Sequence, residues 1–118
     1  KSVQLLPDAS LIRANLGQIQ LELNDPTLLP FAVANFKISL DKTPQRAFIW
    51  RQLGIAYGKL NKMGKSSRAL AEEALLRGRR DDAIRFAKKA KSILPQDSPD
   101  WIRAEDIIVT TKQSERKR

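Results

Sequence analysis

Apolar residues recur every three or four positions through most of the chain. Between 81 and 94, Ala83, Ala87, Ala90 and Leu94 share one side of a helix, and Arg85, Lys88, Lys89 and Lys91 occupy the other. That period belongs to an amphipathic α-helix and not to a strand. Trp50, Leu53, Gly54 and Tyr57 form a second stripe, and Ala32, Phe36 and Ser39 a third. Read between their turn signals, these stripes predict six helices, at about 8–23, 28–41, 45–60, 65–77, 81–94 and 98–112. The signals are Asn24-Asp25-Pro26, Lys42-Thr43-Pro44, Asn61 to Gly64, Gly78, and Pro95 to Pro99. Asp8, Asp81 and Ser98 are the expected N-caps, and Asp81 with Asp82 suits the positive end of a helix dipole. Pro26 and Pro30 are compatible only with a helix start.

The prolines also mark a repeat. Pro7, Pro44 and Pro95 each follow an apolar helical run, at intervals of 37 and 51 residues. Trp50 and Trp101 are again 51 apart, as are Ala32 and Ala83. A half-unit of about 17 residues, one short helix and its turn, accounts for these spacings, so two half-units make a helical hairpin of about 34. The residue types agree with the length. Trp50-x-x-Leu53-Gly54-x-x-Tyr57 resembles the first-helix signature of tetratricopeptide repeats. Ala32, Phe36, Ser39 and Pro44, and again Ala83, Ala87, Ala90 and Pro95, resemble the second-helix signature. The fold expected is therefore all-α: a right-handed tetratricopeptide-like solenoid of about six helices in three hairpins. Three extra residues in the first hairpin fall on Asn24 to Pro30. The helix at 65–77 fits neither phase and is expected to be a shared central helix.

Length suits a single domain, spanning 5–112. The basic remainder, 113–118, is expected to be a disordered tail. No run approaches the roughly 18 apolar residues that a membrane-spanning helix needs. The absence of both Cys and His removes thiolate chemistry, a catalytic triad and the ordinary zinc ligand sets from this segment. No cofactor or metal is expected in it, and no enzyme activity. The net charge of +9 lies partly in the tail and partly on the 81–94 helix. Without interleaved aromatics or a nucleic-acid motif, neither nucleic acid nor a membrane surface is the expected partner.

In a hairpin stack the first helices line the inner face, where such modules bind peptides. That places Phe48, Arg51, Ile55 and Lys59 of the second hairpin in a groove. Leu11, Ala14, Gln18 and Leu21 join from the first hairpin, and Arg68 and Glu72 from the central helix. The mixture of apolar and basic character suits an apolar or acidic peptide. A carboxylate clamp is not expected, because Ile55 and Glu72 stand where its asparagines belong. Trp50, Leu53, Gly54 and Tyr57 are read as structural, as are Ala32, Phe36, Pro44, Ala83, Ala87, Ala90 and Pro95.

Longer phrases narrow the resemblance. Leu5-Leu6-Pro7-Asp8, Trp50 to Tyr57, Ala69-Leu70-Ala71-Glu72-Glu73-Ala74-Leu75-Leu76-Arg77-Gly78, Asp82-Ala83 and Ser98-Pro99-Asp100-Trp101 together resemble one family. It is the C-terminal repeat domain of bacterial zinc-dependent proteases of the β-barrel assembly-enhancing type. The chain opens on Lys1, and Leu5-Leu6-Pro7 echoes Ile93-Leu94-Pro95 at a helix end, so it reads as a piece of a longer protein. The resemblance implies a periplasmic or envelope location and an upstream protease domain that holds zinc on a His-Glu-x-x-His helix. It gives this segment the recognition of protein substrates or outer-membrane assembly partners, and contact with its own protease domain. The rival reading is a tetratricopeptide scaffold of an unrelated secretion or assembly protein.

Overall fold

The structure, a computed structural model, describes residues 9–116 and the side chains of 9–114. Six helices follow one another: α1 (Ala9–Glu22), α2 (Leu29–Lys42), α3 (Ala47–Lys59), α4 (Met63–Leu76), α5 (Arg80–Ile93) and α6 (Pro99–Arg116). A single 3-10 turn, Pro26–Leu28, precedes α2. The described residues are all helix and turn, folded as a solenoid of helical hairpins, α1–α2, α3–α4 and α5–α6.

Each boundary has a local cause. Asn24, Asn61, Gly78 and Asp97 take positive φ values of 58°, 61°, 76° and 67°. These are residue types that tolerate the left-handed region; the first three stand just past the ends of α1, α3 and α4, and Asp97 lies in the turn before α6. The three extra residues of the first hairpin become the 3-10 turn. Asp25 caps it, accepting from the Thr27 N–H at 2.9 Å and the Thr27 hydroxyl at 2.8 Å, which holds its carboxyl below the usual range. Ser98 accepts from the Trp101 N–H at 3.4 Å. Asp81 is not the cap expected of it: α5 begins one residue earlier, and Asp81 and Asp82 sit in the first turn, where their charge still favours the helix dipole. The cap proposed at Asp8 lies outside the described residues. α6 runs on to Arg116, past the expected end at 112. No Gly or Pro interrupts it there, and the Thr110 hydroxyl bonds back to the Asp106 carbonyl at 2.8 Å.

Two cores lie on either side of α4. The first, from α1 to α4, centres on Phe36, which is 1% exposed. The second is built from alanines, Ala71, Ala74, Ala83, Ala87, Ala90 and Ala104, with Ile107 and Ile108. Such small side chains let α4, α5 and α6 approach closely. α4 contributes Ala69 to one core and Ala71 and Ala74 to the other, and it packs on α3, α5 and α6. It thus closes the second hairpin and is also the surface on which the third packs. Across hairpins α1 rests on α3, whereas farther along α4 rests on α6. The half-unit slip seen in the 51-residue spacings is absorbed at this helix.

Close approach within hairpins rests on two glycines 37 residues apart. A Cβ on Gly17 would lie 2.9 Å from the Phe36 ring, and one on Gly54 3.1 Å from Leu70. The Gly54 carbonyl also accepts from the Ser66 hydroxyl at 2.8 Å. Gly54→Leu is accordingly expected to destabilise by about 1–3 kcal/mol through overpacking, read as a lower urea midpoint with an unchanged slope. An unaltered midpoint would mean that α3 and α4 do not pack this tightly.

Candidate functional site

Trp50, Leu53 and Tyr57 fall on one side of α3, and above them opens a cleft of about 260 Å³. Its walls come from four helices: Lys37, Leu40 and Asp41 of α2, Lys65, Arg68 and Ala69 of α4, and Asp100 at the start of α6, with Pro44 at one end. The Trp50 indole donates to the Pro44 carbonyl at 2.8 Å, which fixes the ring as part of the floor. Pro44 therefore serves as an acceptor as well as a breaker.

The basic side of the cleft is held in place by a chain of charges. Lys65 donates to Asp100 at 2.6 Å. The Arg68 guanidinium lies 4.8 Å over the Trp50 ring, pairs with Glu72 at 2.9 Å, and reaches Asp100 at 3.5 Å. Arg103 of α6 grips Glu72 with two bonds, 2.6 and 2.9 Å, and reaches Asp106 at 2.8 Å. Glu72 is almost fully buried between the two arginines, so each is a charge-assisted partner in a poorly solvated place. The network ties α6 to α4 and leaves Lys37 and Asp41, four apart on α2, as the lining charges that enter no ion pair among the described residues.

Burial, more than the neighbouring Asp100 charge, pushes the Tyr57 phenol above its ordinary value. The hydrogen bond to Asp100 raises Lys65, against the opposing effect of burial. The hydrogen bonds that Arg103 donates to Glu72 likewise make it still harder to deprotonate, against the opposing effect of burial. A group whose pKa is raised by folding contributes stability below its unfolded value and loses it as pH climbs through the folded one. Tyr57 and Lys65 start from 10.0 and 10.5. The melting temperature is therefore expected to hold below pH 10 and to fall above it, and Tyr57→Phe should blunt that fall. A wild-type curve flat to pH 11 would contradict this placement of both groups.

The residues expected to line one groove are divided by the structure. Phe48, Arg51, Ile55 and Lys59 lie on the side of α3 away from the cleft, as 100° per residue requires. Phe48 is exposed, Arg51 approaches Glu73 at 3.9 Å, and Lys59 approaches Asn24 at 3.4 Å. Ile55 is half-buried against the first core. Gln18 accepts from Gln52 at 2.5 Å and donates to Glu22 at 2.8 Å, so it joins α1 to α3. Leu11 is exposed, Ala14 packs on the core, and Leu21 is inside it. Arg68 belongs with Trp50 in the cleft, and Glu72 is an interior anchor, so neither stands beside Arg51 in an open groove. Spacing missed this because it assigns faces within one helix, whereas α4 serves two hairpins. Lys37, Asp41, Lys65 and Asp100 carried no signal of their own, since the site gathers them across 63 residues.

Chemically the cleft offers two aromatic rings and aliphatic walls, with charges of both signs on its lining, which suits the capture of a bulky side chain of a peptide. Among the described residues no group of three or more His, Cys, Asp or Glu is placed to hold a metal ion. No family model matches the chain, and no curated protein does.

Proposed function

We propose that this chain is a protein-interaction module of the tetratricopeptide type, without catalysis of its own, that receives a peptide of its partner in the cleft above Trp50 and Tyr57. The observation that carries the reading is the cleft itself: an aromatic floor held by the Pro44 carbonyl, roofed by Arg68, with Lys37 on its lining. A bulky apolar side chain entering it would bury the floor, and an adjacent carboxylate would meet Lys37. One anchored side chain with a flanking ion pair is a common source of affinity and specificity in peptide recognition.

The wider setting rests on the sequence resemblance, which supports a recognition segment of a zinc-dependent protease of the bacterial envelope, engaging protein substrates or outer-membrane assembly partners. A polypeptide that joins this segment to a His-Glu-x-x-His helix would support that setting, and a parent lacking such a helix would leave a scaffold role. Joining a binding arm to a protease raises the concentration of substrate near the metal.

Binding is tested with Trp101→Phe, which leaves Trp50 as the single tryptophan reporter. Titration with a short peptide carrying Phe or Leu between glutamates is expected to shift Trp50 emission and saturate. Lys37→Glu is expected to weaken that binding about tenfold, equivalent to about 1.4 kcal/mol, with unchanged helicity. Equal response to the same peptide with lysines in place of glutamates would refute the role given to Lys37.

A further inference from the structure

A polar group taken from water without a hydrogen-bond partner costs free energy, so buried ones are nearly always paired. Tyr57 departs from this. It is 8% exposed, and its hydroxyl makes no hydrogen bond with any described residue. Two other side-chain atoms without a partner, Arg68 Nε and Thr111 Oγ1, are sealed from solvent. The Tyr57 oxygen is not among the sealed atoms, and the residue lines the cleft. Its hydroxyl is therefore open to whatever enters there.

The surroundings of that hydroxyl define the group that would satisfy it. The charges that act on it are Lys65, Asp100 and Arg68. They are already matched: Lys65 pairs with Asp100, Arg68 with Glu72 and Asp100, and Arg103 with Glu72 and Asp106, three cations against three carboxylates. A charged tip brought among them would leave water and find no excess of opposite charge. A neutral tip avoids that cost. Lys65 has N–H groups beyond the one it gives to Asp100, and a tyrosine hydroxyl either donates or accepts, so the fitting tip is one that can accept as well as donate. The remaining walls, Leu40, Leu53 and Ala69 beside the Trp50 ring, call for an apolar body behind that tip. A cavity of about 150 Å³ accommodates a benzene, so the cleft, at about 260 Å³, has room for one aromatic side chain.

We infer that the cleft selects tyrosine as the anchoring residue of the bound peptide, and that Tyr57 is the residue that reads the anchor's hydroxyl. Tyrosine is the neutral side chain that joins a benzene ring to a tip able both to donate and to accept. This rests on the cleft being a peptide site, as proposed above, and adds which side chain it prefers. A site that holds an unpaired hydroxyl discriminates against a ligand lacking the matching group, because binding then buries the hydroxyl with nothing to bond. Phenylalanine, nearly the same shape, is such a ligand.

Isothermal titration calorimetry tests this with two glutamate-flanked peptides that differ only in Tyr or Phe at the centre, each titrated into the wild-type chain and into Tyr57→Phe. Wild type is expected to bind the Tyr peptide about tenfold tighter than the Phe peptide, and Tyr57→Phe to show no preference. The variant deletes a hydroxyl that holds nothing in the fold, so its melting temperature at neutral pH should not fall. Equal affinity of the two peptides for wild type, or a preference for the Tyr peptide that survives in Tyr57→Phe, would overturn the inference and leave the peptide site standing. A variant that melts clearly lower would show the hydroxyl already engaged within the fold, which overturns it as well. Saturable binding of neither peptide to wild type would overturn both the inference and the peptide site.

Discussion

Phe36→Ala is expected to lower the melting temperature by on the order of 20 °C, from a loss of about 4 kcal/mol in a domain of this size. Phe36 is 1% exposed and the largest of the fully buried side chains among the described residues. Its ring lies directly on Gly17, where even a Cβ would come within 2.9 Å. The hole left by truncation would thus be bordered by a residue with no side chain to move into it. Nearby the buried Ser10 and Ser39 hydroxyls bond each other at 2.9 Å, and Ser39 donates to the Ser10 carbonyl at 2.8 Å. These bonds fix the spacing of α1 and α2 and further limit collapse. Thermal melting followed by circular dichroism checks the figure. A loss below about 1 kcal/mol would mean that the first core relaxes around the site and is not packed as described.

Glu72→Ala is expected to cost about 2–3 kcal/mol, although it removes no apolar contact of note. The carboxylate is held by Arg68 and Arg103, and its deletion would leave Arg68 with only the longer 3.5 Å approach to Asp100 and Arg103 with only the more exposed Asp106, so the desolvation of both cations is no longer fully offset. The figure is set below that for a fully interior pair because Arg103 is about a third exposed and partly solvated. Replacing Glu72 together with both arginines by methionine should recover most of the loss, since the destabilisation comes from stranded charges and not from missing volume. Equilibrium unfolding in urea of the single and triple variants measures this. A triple variant as unstable as the single one would show that the network supplies net attraction.

Helix number and order were legible in the sequence because period and breakers agreed: Phe36, Trp50 and Ala87 lie on the buried sides their stripes indicated. Gly54 was read as structural and does mark where two helices touch, whereas its counterpart Gly17, which no signature flanks, became visible only in the packing. Legibility failed where one helix has two neighbours. Arg68 and Glu72 sit four apart on α4, yet one roofs a cleft and the other is interior, because α6 returns over that helix with Arg103. The cleft itself was hidden for a related reason: Trp50 and Tyr57 looked like core, and they are, but their outer edges remain open where α2, α4 and the start of α6 fail to meet.

The most direct test of peptide capture is a map of amide chemical shifts as the glutamate-flanked Phe peptide is added to isotope-labelled chain. Perturbations should gather at Lys37, Asp41, Trp50, Tyr57 and Arg68, with the Trp50 indole N–H among the largest. Perturbations gathered instead at Phe48, Arg51 and Lys59 would place binding on the other side of α3 and contradict the cleft.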